Sequence, residues 1–333
     1  MQAAIKTAGP GLRVGVVGVG VMGSNHARVL AELPGVEFVG VADPDRIQAH
    51  SVAQALGCAE FPDFASLIEQ DVEAVTIAAP THVHQEIALA CIKRGIHVLV
   101  EKPIASTIAE GRAIVAAARR AGVTLMVGHV ERFNPAVQAI KDALRGEDIL
   151  SIAITRVGPF PPRMSNVGVV IDLAVHDIDL IRWFTDSEIV EVQPQLSSAV
   201  AEREDIALLQ FRTASGVLAH INTNWLTPFK ARDVQVATRR KYVMADLLTR
   251  QVTECFGFQP DGAYSMRHLP VGHAEPLRSE IAAFVAAVRS GTAPAVSGEE
   301  GVASLEIAMR CLRASDVAPV PQRKAPRRLV GLN

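Results

Sequence analysis

Leu12-Arg13-Val14-Gly15-Val16-Val17-Gly18-Val19-Gly20-Val21-Met22-Gly23 reads as a short apolar strand running directly into a G-x-G-x-x-G turn. Ser24 to Leu33, which follows, has helical composition. In a strand–turn–helix unit each glycine has a mechanical task. Gly18 turns the chain, Gly20 lets backbone approach a pyrophosphate, and Gly23 lets the helix pack close to the strand. The anion would rest at the helix N-terminus, beside Val21 and Met22, where unpaired N–H groups and the macrodipole favour negative charge.

The residues that follow extend this unit. Val36 to Ala42 is a second apolar strand, and Asp43 ends it 20 residues after Gly23. A carboxylate there accepts hydrogen bonds from adenosine ribose hydroxyls and repels a 2′-phosphate, so NAD is expected over NADP. Arg46 tempers that preference, because a nearby arginine can accommodate the phosphate. Ala74 to Ala79, His97 to Val100 and Val123 to Val127 read as further strands, with Glu86 to Lys93 and Ile108 to Ala121 as helices between them. Such alternation implies a doubly wound parallel sheet, with residues 11–130 as an NAD-binding Rossmann domain. The loops after these strands share one edge. Ala79, Pro80, Thr81, His84 and Glu101 are therefore expected along the cofactor. His82-x-His84 lacks further ligands of metal-site type, and no metal is expected.

Two more clusters carry chemistry. Glu101-Lys102-Pro103 closes the strand His97-Val98-Leu99-Val100, which puts a lysine within reach of a nicotinamide and its substrate. In the second half, Asp172, His176 and Asp179 recur at i, i+4 and i+7 within the apolar stretch Val170 to Phe184, one face of a helix. Polar groups on an apolar helix need partners, and a bound polyol would supply them.

Beyond Gly128 the pattern changes. Asn134 to Leu144 reads as a linking helix. Ile149–Val157, Glu188–Val200, Asp205–Arg212, Val217–Trp225 and Asp233–Thr238 read as strands, with a hairpin turn at Ala214-Ser215-Gly216. Short connections predict a largely antiparallel open sheet in an α+β domain spanning 131–318, closed by helices over 274–289 and 298–313. One face of such a sheet must be covered, often by a second subunit.

At 333 residues the chain suits two domains at roughly 150 residues each. A hydrophobic share of 49% supports sizeable cores, and a net charge of −2 argues against nucleic-acid binding. The tail, 319–333, is basic and is expected to be solvated. Cys58, Cys91, Cys255 and Cys311 have neither disulfide nor zinc spacing, Met1 to Pro10 has no apolar leader core, and no run is long enough to span a bilayer. A cytoplasmic protein without membrane contact is expected.

Gly18-x-Gly20-x-x-Gly23, Glu101-Lys102-Pro103 and Asp172-x-x-x-His176, in this order and separation, resemble the Gfo/Idh/MocA oxidoreductases over roughly residues 12 to 315. The resemblance implies a Rossmann domain followed by a domain whose open sheet mediates homo-oligomerisation. It also implies that Lys102 is the catalytic lysine and that Asp172 and His176 face the substrate carbon. Gly128-His129-Val130-Glu131-Arg132-Phe133-Asn134-Pro135 is similar to the branch acting on UDP-linked N-acetylated sugars. That likeness implies NAD-dependent oxidation of the 3-hydroxyl of UDP-N-acetylglucosamine, followed by an aminotransferase that supplies lipid A or surface polysaccharide synthesis. Arg132 and Asn134, within the phrase, join Lys102, Asp172 and His176 as expected substrate contacts. Arg156 and Arg163 are expected at the diphosphate, and Trp225 or Phe229 against the uracil. UDP-N-acetylglucosaminuronate, a free polyol such as myo-inositol, or a non-catalytic NAD-binding sensor are the alternatives.

Overall fold

Short β-branched runs alternate with helices through the first part of the chain. The structure, a computed structural model that describes residues 11–161 and 167–314, gathers them into a six-stranded parallel sheet. Its strands are β1 (Leu12–Val17), β2 (Val36–Ala42), β3 (Ala59–Phe61), β4 (Ala74–Ile77), β5 (His97–Glu101) and β6 (Leu125–Gly128), in the order β3-β2-β1-β4-β5-β6. The helices are α1 (Val21–Glu32), α2 (Arg46–Leu56), α3 (Phe64–Ile68), α4 (His84–Lys93) and α5 (Ile108–Ala121). Their ends are set locally. The Asp45 side chain accepts from Ile47 and Gln48 N–H to start α2, and Thr107 with Glu110 forms a capping box on α5. Strand order reverses between β1 and β4, which opens the ligand crevice at their carboxyl ends.

Glycines set how closely α1 approaches β1. A Cβ on Gly23 would lie 1.7 Å from the Gly18 carbonyl oxygen, and one on Gly18 would meet the Ala79 backbone at 2.6 Å. Gly18 also has φ +85, a conformation that side-chain-bearing residues seldom adopt.

The second half opens with α6 (Pro135–Ala143), whose Ala136 N–H donates to the Asn134 side chain. Then come β7 (Ile149–Pro159), a π-helical turn at Val170–Ala174, α7 (Val175–Thr185), β8 (Ile189–Ser197), β9 (Ile206–Thr213), β10 (Leu218–Asn224), β11 (Leu226–Thr238), β12 (Lys241–Asp246), β13 (Gln251–Phe256) and β14 (Ser265–His268). The eight strands form one sheet, β14-β13-β12-β11-β7-β10-β9-β8, antiparallel except where β10 runs beside β7. Its inner face carries Ile152, Ile154, Leu209, Phe211, Ile221, Val234 and Val236, all buried in one core with Ile178 and Ile181 of α7. Sequence reading stops at β11. Strands β12 and β13 mix charged and apolar residues, and β14 is exposed throughout, so none shows a clear alternation.

The last two helices, α8 (Pro276–Ser290) and α9 (Gly298–Ala314), differ from expectation. They do not simply close the second sheet. Leu277, Ile281, Phe284 and Val285 of α8 belong to the core around the first sheet. Helix α9 serves both, with Val302 and Leu305 in the first core and Ile307, Ala308 and Cys311 in the second. A boundary near residue 130 is therefore crossed again by the returning chain.

Helix α8 also brings Glu280 into the first core, fully buried and with both carboxylate oxygens unpartnered. One of its oxygens lies within 4.8 Å of His26 and Glu101 ligand atoms. His26 Nε2 meets Glu101 Oε1 at 2.8 Å. Burial, reinforced by the Glu101 charge, pushes Glu280 well above the usual carboxylate range, so it is carried as the neutral acid. A raised folded-state value means that its stabilising share is present below an ordinary glutamate's pKa of about 4.3 and is lost as pH rises through the folded value. Glu280→Gln removes that loss. The variant should melt at least about 3 °C above the native chain at pH 8 and level with it near pH 4. Equal melting temperatures at both pH values would show that Glu280 titrates normally. Gly23→Ala should destabilise the chain by about 2 kcal/mol or more and abolish NADH binding in a fluorescence titration, because helix and turn cannot both keep their places.

Candidate active site

The carboxyl edge of the first sheet has the features of a dinucleotide cradle. Helix α1 starts at Gly20 with no side-chain cap and no acid in its first turn, leaving its leading N–H groups for an anion. No atom lies within 4 Å of a Cβ built on Gly20, so there is room for a pyrophosphate at the backbone. Val21 and Met22 are 73% and 39% exposed at the same spot. Asp43 follows β2 with Oδ2 accepting from Val19 N–H at 2.7 Å and Oδ1 from Asp45 N–H at 2.8 Å. It thus braces the glycine turn while standing where a ribose would lie. Ala79, Pro80 and Thr81 line the end of β4 beside Gly18. The residues fit a nicotinamide dinucleotide, NAD or NADP. His84 does not face that edge. Its imidazole is buried between the Ala79 carbonyl (2.8 Å) and the Pro103 carbonyl (3.1 Å), so it ties two edge loops together. His82 is exposed, and the two histidines diverge.

Lys102 and Glu101 leave β5 in opposite senses. Glu101 turns inward to His26, and its Oε2 accepts the Lys102 N–H at 3.2 Å. Burial alone would raise Glu101, but His26 and Lys102 overcome it and hold the carboxylate below its usual range. The Lys102 side chain crosses to the second half, where Nζ donates to the Asp172 carbonyl at 2.6 Å and to Asp172 Oδ1 at 3.2 Å. Lys102 and Asp172 side chains are 16% and 21% exposed, close to solvent without being free in it.

Asp172 lies on the π turn and His176 on the first turn of α7. His176 packs edge-on against His129, with ring centroids 6.2 Å apart, and its Nδ1 is buried without a partner. Burial, then Lys102 and Arg156, hold His176 well below its ordinary value, so it is a neutral imidazole at physiological pH. The expected three-residue stripe is broken. Asp179 turns away into the core, where Arg132 chelates it at 2.6 and 2.7 Å and Ser304 donates at 3.2 Å.

The arginines and Asn134 need correction. Arg132 spends Nε and Nη2 on Asp179 and Nη1 on Glu300, at 4% side-chain exposure. Arg156 spends Nε and Nη2 on Asp177 and Nη1 on Glu131, at 3%. Neither guanidinium is left for a diphosphate. Both hold buried carboxylates that would otherwise be uncompensated. Asn134 caps α6 through Oδ1 and donates to the Leu247 carbonyl at 3.3 Å. Trp225 is buried against Phe160, whereas Phe229 is 62% exposed. Arg163 and the basic tail lie outside the described residues. Sequence reasoning missed His129, which backs His176, and Glu131 and Arg232, which meet at 2.9 Å. The position of His129 at the end of β6 was the available signal.

Comparison with known proteins agrees with this geometry. Residues 12–129 match the description "Oxidoreductase family, NAD-binding Rossmann fold", and residues 149–242 match the GFO/IDH/MocA C-terminal domain. The chain is 31% identical over 237 residues to UDP-N-acetylglucosamine 3-dehydrogenase of Acidithiobacillus ferrooxidans, covering 71% of this chain and 74% of that one. It is 35% identical over 328 residues to inositol 2-dehydrogenase of Rubrobacter xylanophilus, covering 94% and 93%. A solved structure of the Acidithiobacillus ferrooxidans enzyme superposes with a TM-score of 0.84 at 27% identity, over 91% of this chain and 97% of that one. Two matched domains, near-full-length relatives and the same pair of sheets converge: the chain is a dehydrogenase that belongs to the Gfo/Idh/MocA oxidoreductase family.

Proposed function

We propose that this protein oxidises the 3-hydroxyl of UDP-N-acetylglucosamine to the 3-keto sugar, with NAD as acceptor. The observation that carries the reading is the meeting of Lys102, Asp172 and His176 beside an uncapped α1 and the Asp43 carboxylate. Likeness to UDP-N-acetylglucosamine 3-dehydrogenase in both sequence and structure supports the sugar. Asp43 at the ribose position favours NAD.

A secondary alcohol gives up hydride readily only as its proton leaves, so a base must touch the oxygen. Neutral His176 takes that proton. Lys102, donating to the same oxygen, stabilises the charge that develops there. Asp172 fixes the lysine through its carbonyl and carboxylate. The bound nicotinamide supplies the hydride acceptor.

The ketone suits an aminotransferase as next enzyme, giving a 3-amino sugar for lipid A or surface polysaccharide. We further propose a homo-oligomer built on the open sheet, whose outer face exposes Leu208 and Leu218. A cytoplasmic setting is supported by four unpaired cysteines, and no helix among the described residues is long and apolar enough to cross a membrane. One specific observation favours a second reading. Inositol 2-dehydrogenase matches at higher identity and over more of the chain, which keeps a free polyol as the rival substrate.

NADH formation at 340 nm, with UDP-N-acetylglucosamine and myo-inositol assayed in parallel and glutamate plus an aminotransferase present to draw off ketone, separates the two. Turnover of the nucleotide sugar is expected; turnover of myo-inositol alone would overturn the proposed substrate. Lys102→Met and His176→Asn should each lower kcat by ~10²–10⁴ and leave NADH affinity within about threefold, since neither touches the glycine turn. The acid limb of kcat/KM should fall well below pH 6.5, following neutral His176, and disappear in His176→Asn. Near-native turnover in both variants would remove these residues from the chemistry.

A further inference from the structure

Three arginines converge on the inner wall of the second domain, and they are not equivalent. Arg132 and Arg156 use every guanidinium nitrogen on carboxylates, those of Asp179, Asp177 and Glu131 buried and that of Glu300 partly so. Arg232 does not. It sits on β11 directly opposite Arg156 of β7, on the same inner face. Its only side-chain hydrogen bond among the described residues runs from Nη1 to Glu131 Oε1 at 2.9 Å. That oxygen is already shared with Arg156 at 2.8 Å. An arginine has five N–H donors in a fixed fork, so most of the Arg232 donors are unspent. Its side chain is 36% exposed, against 3% for Arg156.

The location gives this spare capacity a use. Arg232 interacts electrostatically with Asp172, and it is one of the charges that hold His176 neutral. Its cross-strand neighbour Arg156 is paired with Asp177, next to His176 in sequence, so the shared inner face places Arg232 beside the cleft in which the reacting hydroxyl would lie. Burial and neighbouring Arg156 act against its charge more strongly than Glu131, Asp177 and Asp172 support it. A half-exposed guanidinium with free donors and incomplete compensation is suited to an oxyanion, which it can grip through two parallel N–H bonds. Glu131 orients it. That carboxylate is itself held by Arg156 and, at 3.4 Å, by Asn134.

We propose that Arg232 is the oxyanion-binding residue of the substrate cleft, gripping the diphosphate or a sugar carboxylate of a nucleotide sugar through donors that Glu131 leaves free. The assignment rests on the nucleotide-sugar reading above and deepens it. It moves recognition of negative charge from Arg156 to its cross-strand neighbour. Arg232 binds rather than reacts, so its loss should act on KM more than on kcat.

The test compares the native protein with Arg232→Gln and Arg232→Lys on UDP-N-acetylglucosamine and UDP-N-acetylglucosaminuronate. A charge-assisted hydrogen bond corresponds to an affinity change on the order of 10–100-fold. KM in Arg232→Gln should rise by that factor while kcat changes less than about threefold, and Arg232→Lys should recover part of the loss. An equal rise for both sugars assigns the diphosphate; a rise for the uronate alone assigns the carboxylate. The acid limb of kcat/KM should also move up in pH, because a cation beside His176 has gone. Unchanged KM on both sugars would overturn the proposal, as would a matched fall in kcat and melting temperature that lysine does not rescue. Titration calorimetry of UDP-N-acetylglucosamine into NADH-loaded protein keeps the two readings apart. Weaker binding in Arg232→Gln, in a protein that turns over neither sugar, would retain the oxyanion site and overturn the dehydrogenation.

Discussion

Adjacent residues at the end of β5 point in opposite directions, and the site depends on that divergence. Glu101 is drawn into the first core by His26, while Lys102 reaches across 70 positions of sequence to Asp172. A buried carboxylate held by a hydrogen bond and a nearby cation cannot swing out without losing both. Its fixed position aims the lysine. His84 is wedged into the same turn from the other side, between the Ala79 and Pro103 carbonyls, and so links the cofactor edge to the turn that carries the lysine.

The second domain answers with a wall of paired charges. Arg132 with Asp179, and Arg156 with Asp177 and Glu131, are nearly all shut away from water. Burial alone would raise Glu131, yet Arg156 and Arg232 keep it ionised below its usual range. Pairs of this kind contribute less to stability than to geometry, since desolvation offsets much of their attraction. What they do here is seat α7 against β7 and set His176 at the cleft, backed by His129 and surrounded by positive charge. That setting keeps the imidazole neutral and able to accept a proton.

The two halves are joined by more than the cleft. Helix α8 gives its apolar face to the first core, and α9 gives residues to both. Arg132 draws the same elements together, because its carboxylate partners are on α7 and α9. These shared helices tie the second core to the first, and so help set the distance from Lys102 to Asp172.

Legibility in the sequence divides along the range of the forces involved. The glycine turn, Asp43 at the close of β2, helix α5 and the strands through β11 other than the short β3 were readable, because they depend on neighbours within a few residues: φ sterics and period. Lys102 and the Asp172–His176 pair were readable as residue types in the right places, though not as contacts. Strands β12 to β14 were hidden, since sheet position and not local pattern makes them strands. Arginine roles were hidden for a deeper reason. Arg132, Arg156 and Arg232 are alike as letters, and only the placement of Asp179, Asp177, Glu131 and Glu300 decides which guanidinium is used up and which keeps donors facing the cleft. Local sterics and periodicity determined the elements; long-range burial, which sets who pairs with whom, was decided by tertiary structure alone.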